Sequence, residues 1–199
     1  MLHLARRGQR VLGIDRFAPP HTRGSSHGQT RVIRQAYFEH PDYVPLLQRS
    51  YELWRELEEQ TGQRLFVQCG LLEAGPVDGV VVPGVLEASR QHDLEVESLA
   101  PAEVTRRWPD LRVPEELAAV YEPTAGYLLV EDCVAAHLSE ARRSGAELLT
   151  DCLVTAWRDD AHGITVETSQ GTFSGERLVI TAGAWAGGLL ADPRVALTP

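Results

Sequence analysis

The chain has 199 residues, 43% of them apolar and 24% charged, with a net charge of −9. That composition suits one or two modest globular cores, and the negative balance excludes a general binder of nucleic acid or anionic membrane. All 19 basic residues are Arg, so a phosphate-loop Lys, a Schiff-base Lys and a Lys general base are excluded within these residues.

Residues 2–7 read as the last turns of a helix, with Leu2, Leu4 and Ala5 apolar, Arg6 and Arg7 at the C-terminal end and Gly8 as its stop. Arg10 to Asp15 is a short apolar run closing on an acid, the pattern of a buried parallel strand. A helix, a Gly, a strand and a terminal Asp make the second half of a dinucleotide-binding βαβ unit, in which that acid accepts from a ribose hydroxyl. The Gly-rich turn of such a unit lies about 20 residues before the acid, so counting back from Asp15 places it before Met1. Residues 16–29 form a Pro/Gly/Ser loop carrying His21, His27, Arg16 and Arg23, the make-up of a loop that lets backbone approach a charged ligand.

Thr30 to Tyr37 fits a strand or a short helix. Asp42 to Gly62 is helical, with Leu47, Tyr51, Trp54 and Leu57 at three- and four-residue steps, Asp42 as N-cap and Gly62 as stop. Its acids Glu52, Glu56, Glu58 and Glu59 read as a solvated face. Leu65 to Ala74 is a strand pair, or one strand broken at Gly70. Residues 79–92 read as helix, 94–99 as strand, and 101–108 as a helix ended by Pro109. Ala118 to Tyr121 is a strand, Glu122 to Gly126 a turn, Tyr127 to Val130 extended, and Glu131 to Ser144 a helix stopped by Gly145. Residues 147–157, 163–168 and 171–174 form a strand meander with turns at Asp159-Asp160 and Ser169-Gln-Gly171. Arg177 to Trp185 reads as an apolar strand running into a small-residue turn and a short helix, a second unit that brings backbone N–H groups to a ligand.

Nucleotide-binding pieces therefore lie at both ends with a mixed segment between them. The fold class expected is α/β (α+β), an interrupted Rossmann-like domain cut at both ends. Its two parts are 1–40 and 140–199, and the insertion at 41–139 carries part of a mixed-sheet substrate domain. Cys69, Cys133 and Cys152 lie far apart without C-x-x-C spacing, which argues for a reducing compartment and against a disulfide framework or zinc site. With no apolar run of membrane-span length and no signal-type apolar segment, a cytoplasmic protein is expected. His21, His40, His92, His137 and His162 read as structural. Ser25 and Ser26 lack a G-x-S-x-G context, which argues against a hydrolase.

Gly24-Ser-Ser-His-Gly-Gln-Thr-Arg-Val-Ile-Arg34 resembles the flavin loop of the monomeric sarcosine oxidase and N-methyltryptophan oxidase family, in the D-amino-acid-oxidase-like superfamily. The resemblance continues in order through Asp42-Tyr-Val-Pro-Leu, Ser50-Tyr-Glu-Leu-Trp54, Arg107-Trp-Pro109, Tyr121-Glu-Pro123 and Val179-Ile-Thr-Ala-Gly-Ala-Trp185. It covers about the first half of a family member, less the initial strand and Gly-rich turn. It implies FAD as cofactor and Asp15 on the adenosine ribose. Ser25, Ser26, His27 and Arg31 are implied at the flavin and pyrophosphate, with His27 and Arg31 beside the flavin ring. Val154 would meet the adenine region through its backbone, Ala182, Gly183 and Trp185 would line the FAD groove, and Arg34 would hold the substrate carboxylate; without the resemblance, Arg31 and Arg34 read as solvated or as paired to Glu39 or Asp42. The implied reaction is oxidation of a secondary amine of an N-methyl or cyclic amino acid, with oxygen as acceptor. The family's flavin-linking Cys, its oxygen-activating Lys and a second carboxylate-binding Lys come from its second half, and none of the three Cys here matches the linking position. The resemblance thus implies a fragment that neither holds FAD tightly nor turns over by itself. Two alternatives stand beside it: a non-catalytic remnant that depends on a partner chain, and a nicotinamide-dependent Rossmann dehydrogenase.

Overall fold

The structure, a computed structural model, describes residues 1–161 and 163–190. In chain order the helices are α1 (Leu2–Ala5), α2 (Val44–Thr61), α3 (Val81–His92), α4 (Pro101–Arg107), α5 (Val130–Arg143) and α6 (Ala186–Leu189). The strands are β1 (Leu12–Ile14), β2 (Thr30–Ile33), β3 (Phe66–Gln68), β4 (Leu71–Pro76), β5 (Glu97–Leu99), β6 (Leu117–Glu122), β7 (Gly126–Leu129), β8 (Glu147–Leu149), β9 (Val154–Asp160), β10 (Gly163–Thr168) and β11 (Gly171–Gly175). Single 3-10 turns cover Pro41–Tyr43 and Gly183–Trp185. Among the described residues no helix is long and apolar enough to cross a membrane.

The chain divides into two compact units, Met1–Gln29 with the stretch from Val130 onward, and Thr30–Leu129. In the first unit β1 and β8 pair in parallel, Leu12 opposite Glu147 and Ile14 opposite Leu149. Parallel pairing needs a crossover, and α5 precedes β8 to provide one. Gly145, at φ +86, ends α5 in the left-handed conformation that glycine adopts without strain. Strands β9, β10 and β11 form an antiparallel meander.

The second unit holds two three-stranded antiparallel sheets, ordered β2-β7-β3 and β4-β6-β5. Helix α2 lays Tyr51 on the first sheet against Ile33 and Phe66. Burying each such side chain contributes roughly 1.5–3 kcal/mol. On the second sheet Val82 and Val85 of α3 pack against Val120 and Ala36, while Val104 of α4 packs against Leu99 and Ala119. The period-two alternation along β6 explains both contacts: Val120 faces α3 and Ala119 faces α4. Strand β3 runs into β4 through Cys69 and Gly70, and β6 into β7 through a turn, so two tight connections join the two sheets. Gly126 opens β7 tight against β3: a Cβ there would lie 2.0 Å from the Val67 carbonyl oxygen.

Several expectations are corrected. The N-cap of α2 is Tyr43, with no side-chain cap hydrogen bond; Asp42 lies in the 3-10 turn before it, which His40 caps by accepting from the Asp42 N–H at Nδ1, 3.2 Å. Glu58 belongs to no solvated face: its Oε1 accepts from Leu65 N at 2.7 Å and Phe66 N at 2.9 Å, holding the start of β3. Residues 147–157 are two strands in different sheets, since Asp151 turns the chain at φ +53. Asp159 and Asp160, expected in a turn, are the last residues of β9. The apolar run at 177–182 is no strand: among the described residues nothing pairs with it, and a strand exists only by pairing. Thr30 to Ile33 resolves to strand and residues 65–74 to two strands, with Gly70 between them at φ +78. His162 and the terminal Leu197-Thr-Pro199 lie outside the described residues.

Candidate functional site

Asp15 closes β1. Its N–H donates to the Leu149 carbonyl at 2.9 Å, and its own carbonyl accepts from Cys152 N at 3.0 Å, so the parallel ladder runs on past both strands. The C-terminal end of parallel strands is where open α/β sheets take ligands. Asp15 Oδ1 accepts from Phe17 N at 2.9 Å, which turns the following loop, and lies 3.4 Å from His21 Nε2. Phe17 gathers the neighbourhood. Its ring stands 5.2 Å from that of His21 and 5.8 Å from that of Trp185, with the guanidinium carbons of Arg16 and Arg23 at 5.6 and 5.7 Å.

Asp15 and Trp185, far apart in sequence, are thus brought together through Phe17. Ala182 leads into the 3-10 turn that carries Trp185, and Gly183 adopts φ +53 with no atom within 4 Å of where a Cβ would stand. Trp157 Nε1 donates to the Leu189 carbonyl at 2.6 Å, fastening α6 to β9, whose first residue is Val154. In the loop Ser25 and Ser26 are exposed and His27 is half-buried. Gly28, at φ +89, donates its N–H to Glu131 Oε1 at 3.2 Å, which ties the loop to the first turn of α5.

The unit Thr30–Leu129 holds Arg31 and Arg34. Arg31 is exposed, and its Nη1 donates to the Thr30 carbonyl at 2.9 Å. Arg34 is deeply set, its side chain 16% exposed. Its Nη2 donates to Glu39 Oε2 at 3.1 Å and Oε1 at 3.3 Å, and its guanidinium carbon stands 4.5 Å from the Tyr37 ring centroid and 4.8 Å from that of Phe38. Glu73 Oε1 is 3.9 Å from Arg34 Nε, beyond hydrogen-bond reach, and Nε is buried without a hydrogen-bond partner. Burial pushes the Glu73 carboxyl above its ordinary range, against the pull of Arg34 and with Glu122 and Glu39 adding to the rise.

This is an arginine held on its flanks by two aromatic rings with a buried donor left over, a suitable seat for a planar anion. Tyr37, Phe38, Glu39, Glu73 and Glu122 were not singled out in the sequence as parts of a site. The signal for the first three was their place three to five residues after Arg34; for Glu73 and Glu122 only strand register, which sequence does not give, brings them near.

Comparison with known proteins follows the same lines. The family profile described as FAD dependent oxidoreductase (DAO) matches residues 1–199. The monomeric sarcosine oxidase of Streptomyces avermitilis is 45% identical over 196 residues, covering 98% of this chain and 51% of that protein. The N-methyl-L-tryptophan oxidase of Yersinia pestis is 40% identical over 192 residues, covering 96% and 51%. Among solved structures, the amino acid oxidase NikD superposes with a TM-score of 0.85 at 28% identity, over 94% of this chain and 49% of that one. Glycine oxidase from Geobacillus kaustophilus superposes with a TM-score of 0.79 at 28% identity, over 94% and 52%. L-proline dehydrogenase from P. horikoshii gives 0.79 at 27%, over 94% and 50%. The chain spans about half the length of the relatives it matches.

Proposed function

We propose, for a chain that belongs to the FAD-dependent oxidoreductase family, that the protein carrying it binds FAD and oxidises the secondary amine of an N-methyl or cyclic amino acid, with oxygen as acceptor. The residues present fit the cofactor. Asp15 offers a carboxylate at the end of a parallel strand, as a ribose hydroxyl requires. The turn at Ala182 and Gly183 leaves backbone open where a Cβ would meet nothing. FAD, when bound, supplies a two-electron acceptor for the amine.

The protein's own residues have separate tasks in this reading. Asp15 holds the ribose, and Ser25, Ser26, Val154, Ala182, Gly183 and Trp185 line the dinucleotide path. His27 and Arg31 stand by the flavin, where a fixed positive charge favours the charge that develops on reduction. Arg34 binds the substrate carboxylate. Tyr37 and Phe38 cover its faces and keep water from competing for it. The unit made of Met1–Gln29 and the stretch from Val130 onward serves as the FAD-binding domain, and Thr30–Leu129 as part of the substrate domain. Among the described residues Cys69, Cys133 and Cys152 form no disulfide, which suits a reducing compartment, and the cytoplasm is the proposed location.

The observation that carries the reading is Arg34, a guanidinium set between the Tyr37 and Phe38 rings with a buried, unbonded Nε. Sarcosine, N-methyl-L-tryptophan, glycine and L-proline, named for the related proteins, all bear an α-carboxylate. Arg34→Ala is expected to raise KM for sarcosine by about tenfold or more while the flavin content holds, since a charge-assisted bidentate contact is lost. Steady-state kinetics beside flavin quantitation decide it; equal loss of flavin and of substrate affinity contradicts the assigned role.

A further inference from the structure

Among the described residues Glu122 is the one charged side chain that is buried, at 2% exposure. An isolated buried carboxylate is costly, and one that persists is normally held by several donors. Three converge on it. Oε1 accepts from Gln35 N at 2.8 Å and from Thr124 Oγ1 at 3.0 Å, and Oε2 accepts from Ala36 N at 3.0 Å. Gln35 Nε2 in turn donates to Thr124 Oγ1 at 3.3 Å.

The two backbone donors are the residues directly after Arg34. Strand β2 stops at Ile33, so the N–H groups of Gln35 and Ala36 have left the sheet, and the carboxylate takes the place of a neighbouring strand. The register explains how it reaches them. Leu71 of β4 faces Glu122 and Glu73 faces Val120, so Glu73, Val120 and Glu122 share one face of the sheet. Ala36 packs on that face against Val120, and Arg34 approaches Glu73 there. Residue 122 thus belongs to the sheet yet grips the segment that presents the arginine.

We propose that Glu122 is a positioning residue for the carboxylate-binding site: by fixing the backbone of Gln35 and Ala36 it sets where the Arg34 guanidinium stands. This rests on the reading of Arg34 given above. The chemistry calls for a carboxylate in particular. Two backbone N–H groups need an acceptor on each oxygen, and an amide offers one oxygen and sets an NH2 against the other N–H. Glu122→Gln therefore keeps the shape of the side chain and breaks one of the two grips.

The test uses the flavin-loaded protein that carries this chain, with Glu122→Gln, Thr124→Val and Arg34→Ala compared. Sarcosine serves as substrate, acetate as a non-reacting carboxylate titrated through its perturbation of the flavin spectrum, and amide hydrogen exchange reports on Gln35 and Ala36. Glu122→Gln is expected to raise KM for sarcosine and Kd for acetate about tenfold, with kcat changed less than about twofold, as befits lost carboxylate binding. Exchange at residues 35 and 36 should accelerate. Thr124→Val, which removes the third donor and the acceptor of Gln35 Nε2 but leaves both backbone grips, should move the same quantities in the same direction by less. Faster exchange with KM and acetate affinity unchanged makes Glu122 a structural residue and overturns the proposal, as does no change in any readout. If Glu122→Gln fails to fold, Thr124→Val decides: unchanged KM and Kd there also overturn it. The Arg34→Ala arm separates the two claims. Should it weaken acetate binding while Glu122→Gln does not, the positioning claim alone fails; should it leave acetate binding intact, the reading of Arg34 fails first.

Discussion

Arg34 keeps company with two acids, and the two are unlike. Glu39 is largely exposed and bonds Nη2 directly, whereas Glu73 is more covered, its side chain 12% exposed, and stands just out of bonding range of Nε. The more covered one carries a pH signature. Burial raises the Glu73 carboxyl above the ordinary value of 4.5, so over a window that starts there and runs upward the folded protein keeps a proton that the unfolded chain gives up. Stability from this group is complete below the window and is lost as pH rises through it. Glu73→Gln removes the titration, so its urea-unfolding free energy should fall less steeply than the parent's across that window. Parallel curves for the two proteins would contradict the account of Glu73. At this scale the proposed site was only partly legible in the sequence. Arg34 and His27 stood in a readable motif, but Glu122 looked like the first residue of a turn. Its role comes from long-range backbone bonds to residues 35 and 36, which leave no local pattern.

At the scale of elements, helices were the legible part. Helix α2 buries Tyr51 and Leu57 at the spacing the sequence displayed, and Gly62 ends it in the left-handed conformation. Strands were less legible, for a physical reason: a helix satisfies its backbone within itself, a strand only through a partner. The run at 147–157 therefore hid a change of sheet at Asp151, and the apolar run at 177–182 has no partner among the described residues. Close approaches between elements were equally hidden. Helix α3 passes the segment after Arg34 so closely that a Cβ on Gly84 would lie 2.3 Å from the Phe38 carbonyl oxygen. The Phe38 ring covers Arg34, so this contact sets a wall of the proposed carboxylate seat. Gly84→Ala should push α3 away, lower stability by roughly 1–3 kcal/mol in urea unfolding and raise KM for the amino acid. A variant as stable as the parent would show that the approach is not a constraint.

For the whole molecule, the central claim is that this chain contributes both a nucleotide seat and a carboxylate seat to one flavin enzyme. The first is built on Asp15, Phe17 and Trp185 in one unit, the second on Arg34 in the other. The match over residues 1–199 is to FAD-dependent enzymes, which decides against the nicotinamide dehydrogenase. A catalytic protein and a non-catalytic remnant differ in one observable. The most direct measurement is anaerobic mixing of the purified protein that carries this chain with sarcosine, N-methyl-L-tryptophan, glycine and L-proline in turn, with the visible spectrum followed throughout. The account predicts a yellow protein whose flavin absorbance bleaches with at least one of the N-methyl or cyclic amino acids and returns on admission of air, with peroxide released. A colourless protein, or a flavin that none of these amino acids reduces, would contradict it.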